Sequence, residues 1–227
     1  MSFLGIELND HAITGVSLDR VLFSEPGCAY CEADGVVFGI EAVRSAHMRP
    51  SAFYDTYWRG LSEQPLARPT SQYKTSADLA YAQLQRLWAS VGSGITQVAL
   101  AVPAYWNDEQ LGLLLGLAQE AGIPLTGLTT LPVAATRRSY PNYELLHIET
   151  GLTTTTVARM SQDGAAALAD DVTVLDMGTV QLERSMAEYF ARRFLECSRF
   201  DPLHDAVSEQ AIYDQLNDWY ITGVEKR

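Results

Sequence analysis

Residues 98 to 135, VALAVPAYWNDEQLGLLLGLAQEAGIPLTGLTTLPVAA, constrain the fold more than any other stretch of this 227-residue chain. TQVALAV reads as a buried strand ended by Pro103. Asn107 then caps a helix, with Gln110 three residues later completing a capping box. Leu111, Leu114, Leu115, Ala118 and Ala121 fall on its core face, and Gly122 stops it. A short strand near 125 to 128 follows, and Pro132 opens a brief helix through Arg138. Upstream, Leu79, Leu84, Leu87, Trp88 and Val91 keep one face of a helix over 78 to 91, capped by Thr75 or Ser76 and ended by Gly92 and Gly94. Helix, strand, helix, strand in succession predicts an α/β fold.

Hairpins stand on both sides of this core. FLGIELNDHAITGVSLD predicts two strands around a turn at Asn9-Asp10-His11, and a second pair turns at Asp34-Gly35. A short helix over 41 to 49, ended by Pro50, and an exposed connection over 60 to 76 come next. The pattern restarts near 143, with strands at YELLHIE and TTTTVARM, a turn at Asp163-Gly164, a strand over 172 to 175, and helices over 181 to 197 and 205 to 219. Two similar hairpin openings suggest a duplicated plan.

A net charge of −12 repels phosphate backbones and anionic lipid surfaces, so neither nucleic acid nor a membrane is expected as a partner. The longest apolar runs fall short of the ~20 residues a bilayer requires, and MSFLGIELND does not read as a signal peptide. The expected location is cytoplasmic. Cys28, Cys31 and Cys197 are an odd set, and Cys28-Ala-Tyr-Cys31 lies in a strand-like run where residues three apart face opposite ways, so it reads as structural rather than redox-active. His147 reads as a satisfied core histidine, with a pH-sensitive ligand as the alternative. Asp201, His204, Asp205 and Glu209 read as a chain break and helix cap, with a metal cluster as the alternative. Arg137 and Arg138 read equally well as a solvated helix end or as groups beside a binding site. Walker-type phosphate loops, nucleophile elbows and H-E-x-x-H are absent from the sequence.

Val102-Pro103-Ala104-Tyr105-Trp106-Asn107-Asp108 and Gln110 match a segment of the heat shock protein 70 family nearly residue for residue. There, Val-Pro-Ala-Tyr-Phe-Asn-Asp-x-Gln precedes a helix, Ala-Gly, a strand and Asn-Glu-Pro-Thr-Ala-Ala. The order of GIELNDHAITGV, GIEAVRSAHMRP, FYDTYWRGL and HIETGLTTTTVA resembles the same family. The resemblance implies the ribonuclease H-like fold shared by actin, sugar kinases and these chaperones: two lobes around a nucleotide cleft, with a phosphate-binding hairpin from each. Residues 1–141 would form the first lobe and 142–227 the first part of the second. The family's adenosine-contacting Gly-Gly-x-[ST] segment is not matched before Arg227, and Gly92-Ser93-Gly94 stands in the wrong place for it, so a fragment of a longer protein or a truncated relative is implied.

By the same resemblance, ATP or ADP with magnesium would be held by Asn9, Asp10 and His11 of the first loop and by Thr150, Gly151, Leu152 and Thr153 of the second. Glu7 and Glu149 are the metal candidates, and Glu7 is the catalytic candidate. Several positions depart from the family pattern. His147 stands where the second loop has aspartate, Glu149 and Thr150 replace glycines, Tyr57 takes the place of the catalytic lysine, and Leu131 that of the Asn-Glu-Pro glutamate. Side chains in such a loop keep amides away from an anion, and transfer chemistry without its cations has little to work with. The expected function is a non-hydrolysing, chaperone-like binding or scaffold module with an unknown protein partner or client, its threonine run mostly strand. An active magnesium-dependent ATPase or kinase, and an actin-like assembly protein suggested by Gly151-Leu152-Thr153, remain the alternatives.

Overall fold

Alternation along SFLGIELN puts Leu4, Ile6 and Leu8 on one face of strand β1 (Ser2–Asn9), where all three are buried. The structure, a computed structural model, describes residues 2–18, 20–32, 35–91, 94–162 and 166–225. The chain turns at Asp10 and His11 into β2 (Ala12–Ser17) and continues in β3 (Arg20–Glu25). A second hairpin, β4 (Ala29–Glu32) and β5 (Gly35–Phe38), precedes helix α1 (Ile40–Val43), a 3-10 turn at Pro50–Ala52 and the short strand β6 (Phe53–Tyr54). The helix expected over 41 to 49 is thus one turn of helix followed by turns, and Arg49, the residue before Pro50, is out of helical geometry at φ −150°.

Helix α2 (Ser76–Ser90) starts at Thr75, whose side chain accepts from the Asp78 amide while Asp78 accepts in return. Strand β7 (Ile95–Val102) leads to α3 (Asp108–Glu120), whose start is the Asn107–Gln110 capping box. Gly122, at φ 69°, takes the left-handed conformation that ends it. Strand β8 (Leu125–Thr130) and helix α4 (Leu131–Ala135) follow, the helix stopping before Arg138. Three strands, β9 (Leu145–Thr150), β10 (Thr155–Ser161) and β11 (Ala167–Leu175), then precede helices α5 (Thr179–Ser198) and α6 (Ala206–Glu225). The turns expected at Asp34 and at Asp163-Gly164, and the helix stop at Gly92 with Ser93, lie outside the described residues.

The largest sheet has the order β3-β2-β1-β7-β8, with β1–β7 and β7–β8 parallel and the rest antiparallel. The other two are β5-β4-β6 and β11-β10-β9, both antiparallel. The arrangement is mixed α/β, as the alternation predicts. Its main core joins β1 and β7 to Leu79, Leu84 and Leu87 of α2 and Leu114 and Ala118 of α3. Gln83 is wholly buried there, accepting from the Tyr57 hydroxyl and from the Trp58 indole and donating to Glu25 and to the Pro26 carbonyl. The connection over 60 to 76 is anchored rather than loose, because Leu61 and Ser76 are buried and Pro65 bridges to Thr75. Cys28 and Cys31 are free thiols buried in different apolar clusters, as residues on opposite faces must be. Among the described residues, no helix is long and apolar enough to cross a membrane.

Candidate functional site

The β1–β2 turn and the β9–β10 loop, some 140 residues apart, meet and hydrogen-bond directly. Asp10 is buried, and its Oδ1 accepts from the Leu152 amide at 2.8 Å while its carbonyl accepts from the Gly27 amide at 2.7 Å. Asn9 Nδ2 donates to Glu149 Oε1 at 3.2 Å and to the Thr150 carbonyl at 3.4 Å. His11 Nδ1 lies 3.2 Å from the Thr179 hydroxyl. A Cβ on Gly151 would sit 2.3 Å from Asp10 Oδ1, so only glycine permits this approach.

The tip of the second loop is inserted, not open. Leu152 is buried with Cys28, Tyr30, Ala42 and Ala52, and Thr153 and Thr154 are also buried. The Thr153 hydroxyl accepts from Arg59 Nη1 at 3.3 Å, and the same guanidinium pairs with Asp176. Strand pairing starts only at Thr155, so the four threonines divide into two buried loop residues and the first two residues of β10.

Beside the junction lies a cavity of about 660 Å³, with Glu7, Asn9, Leu131, Arg137, His147 and Glu149 among its lining residues. Glu149 has a side chain only 11 % exposed, and burial together with the Glu7 and Asp10 charges pushes its carboxyl up to about 7. Burial also raises Glu7 and Asp10, the Leu152 amide opposing the shift at Asp10, and it lowers His147. His147 Nε2 stands 3.8 Å from Glu149 Oε2, and neither atom has a hydrogen-bond partner. Asp10 Oδ2 is likewise buried and unpartnered. His147 is therefore not the satisfied core histidine that an apolar strand suggests.

The other positions singled out in the sequence are scattered. Tyr57 is buried against Gln83, away from the cavity, whereas Leu131 is buried at its wall. Asp205 accepts from the Val207 and Ser208 amides, both at 3.1 Å, as a helix cap does, and Asp201 accepts from the Leu203 amide at 3.0 Å. Glu209 turns to His47 Nδ1, 3.1 Å away. Among the described residues, no group of His, Cys, Asp or Glu side chains is arranged to hold a metal ion. Arg59, which ties Asp176 to the second loop, carries no local sequence signal because its partners lie 94 and 117 positions away. Asp55, whose carboxyl burial raises and whose charge adds to that around Asp10, likewise carries no local sequence signal. No protein-family model and no curated protein matches the chain.

Proposed function

We propose that the chain is a nucleotide-independent relative of the heat shock protein 70 nucleotide-binding domain, acting as a binding or scaffold module for a protein partner. The bond from the Leu152 amide to Asp10 carries this reading. A polyphosphate needs outward amides and opposing cations. Here the Gly151 amide is spent on the Thr154 carbonyl at 2.7 Å, the Leu152 amide on Asp10, and Glu7, Asp10 and Glu149 load the junction with carboxylates. These residues do not fit a nucleotide phosphate. Glu7 and Glu149 are oxygen ligands of the kind magnesium takes, but among the described residues no group of three His, Cys, Asp or Glu side chains is arranged to hold a metal ion.

Two antiparallel three-strand meanders, β1-β2-β3 and β9-β10-β11, meet through their first turns, which supports the ribonuclease H-like, two-lobed plan with 1–141 and 142–227 as its parts. The test is calorimetric titration of the full chain with ATP and with ADP, each with magnesium. The expected result is no binding tighter than about 100 μM, roughly 5.5 kcal/mol. Tighter binding overturns the proposal, and turnover abolished by Glu7→Gln would favour an active ATPase instead.

A further inference from the structure

The sequence predicts a helix over 41 to 49, yet α1 stops at Val43. Beyond it the backbone tightens: the Ser45 amide donates to the Ala42 carbonyl at 3.1 Å, Ala46 to Val43 at 3.1 Å and Met48 to Ser45 at 3.2 Å, each reaching three residues back. The bond that would carry an α-helix forward here runs from the His47 amide to the Val43 carbonyl. A side chain from 163 positions away stands in its place. Gln210 Oε1 accepts from the His47 amide at 2.9 Å, and Gln210 Nε2 donates to the Val43 carbonyl at 3.2 Å, so a single amide group is wedged into an opened helical turn.

The wedge is firmly held. Gln210 is only 5 % exposed, and its Nε2 also donates to Asp214 Oδ1 at 2.9 Å, which orients the amide. Glu209 Oε1 lies 3.1 Å from His47 Nδ1, and the Tyr213 ring stacks on the imidazole at 3.8 Å. Residues 209, 210, 213 and 214 share one stripe of α6, while Ile212 and Leu216 on the neighbouring stripe are buried with Ala187 and Ala191 of α5. Helix α6 thus grips α5 and the end of α1 at once.

We propose that this wedge is a conformational switch. With Gln210 seated, α6 straps the second half of the chain to the first. With Gln210 withdrawn, the Val43 carbonyl and the His47 amide bond to each other, α1 runs on to Met48, and α5 with α6 swings away about the Asp10–Leu152 junction. Both backbone groups are satisfied in either arrangement, which is what makes two discrete states available. Local sequence favours the longer helix: Ala42, Arg44, Ala46 and Met48 are good helix formers, Glu41 pairs with Arg44 at 2.6 Å, and the residue before Pro50 is the natural stop. Propensity and strap therefore compete for the same two groups, whether or not a nucleotide binds.

The test combines backbone NMR of the full chain with a spin-label distance between Cys197, exposed on α5, and Gln119→Cys, exposed on α3; Cys28 and Cys31 are buried. Expected with Gln210 present are non-helical Cα shifts over 45 to 48 and one narrow distance. Gln210→Leu keeps the bulk but can bond neither backbone group. It should turn those shifts helical and lengthen and broaden the distance, a shift of about tenfold toward the released state for the one or two hydrogen bonds lost. His47→Ala keeps the backbone amide and Gln210 while removing the ring stack and the Glu209 contact, so it should move both readouts the same way by less, and it serves if Gln210→Leu does not fold. Helical shifts over 45 to 48 in the wild type, a broad wild-type distance, shifts unmoved by the variants, or a longer helix with an unchanged distance overturns the inference.

Discussion

Glu149 is held in a setting that disfavours its charge, and this has a measurable sign. Its carboxyl sits at about 7 in the folded chain against an ordinary 4.5, so the native state holds a proton that the unfolded state releases. The stabilisation is present in full below about 4.5 and is lost as pH rises through about 7. Glu149→Gln keeps an acceptor for Asn9 without the charge, and it should raise stability at pH 8 by on the order of 2 kcal/mol. Melting temperatures of the two proteins should converge below about pH 4.5; a gap independent of pH would contradict the assignment. Asp10→Ala leaves the buried Leu152 amide without a partner and should cost about 1–3 kcal/mol in urea unfolding, with Asp10→Asn much milder. The sequence placed Asn9, Asp10, His11 and Gly151 at two turns that could face each other. It could not say that a carboxylate of one turn would take up an amide of the other, because that pairing spans 142 positions and leaves no local pattern.

Among the elements, those with terminal signals were the legible ones. Thr75 with Asp78 and Asn107 with Gln110 form the reciprocal caps their spacing predicts, and helices start where those residues stand. Asn107→Ala should destabilise the protein by about 1 kcal/mol, seen as a lower thermal midpoint, and Asn107→Ser should restore most of it. Strand β3 carries no strand signal in the sequence, because Val21, Leu22 and Phe23 break the two-residue alternation and its outer residues are largely exposed. The threonine run has the composition of a strand, but β-propensity cannot distinguish residues paired in a ladder from residues buried in the preceding loop, and Thr153 and Thr154 are the latter.

Across the whole molecule, the contacts between distant parts are few in kind and specific in chemistry. Leu152 enters a cluster formed by residues near the start of the chain, and Gln210 of α6 accepts from the His47 amide at 2.9 Å while Tyr213 stacks on the His47 ring at 3.8 Å. Leu152→Ala should cost about 2–4 kcal/mol and speed hydrogen exchange on both sides of the junction, whereas a change confined to β9 and β10 would show that the loop does not couple them. The alternation of helix and strand was enough to read the α/β class, but the pairing of distant strands is set by packing that a single sequence does not display. The parallel register between β1 and β7 also orders events in time. Ile6 lies opposite Leu100, so the first hairpin emerges from the ribosome long before its central neighbour exists. At ~5–20 residues per second, β1 keeps a bare edge for roughly 5 to 20 s, the interval in which a nascent-chain chaperone would find its binding site.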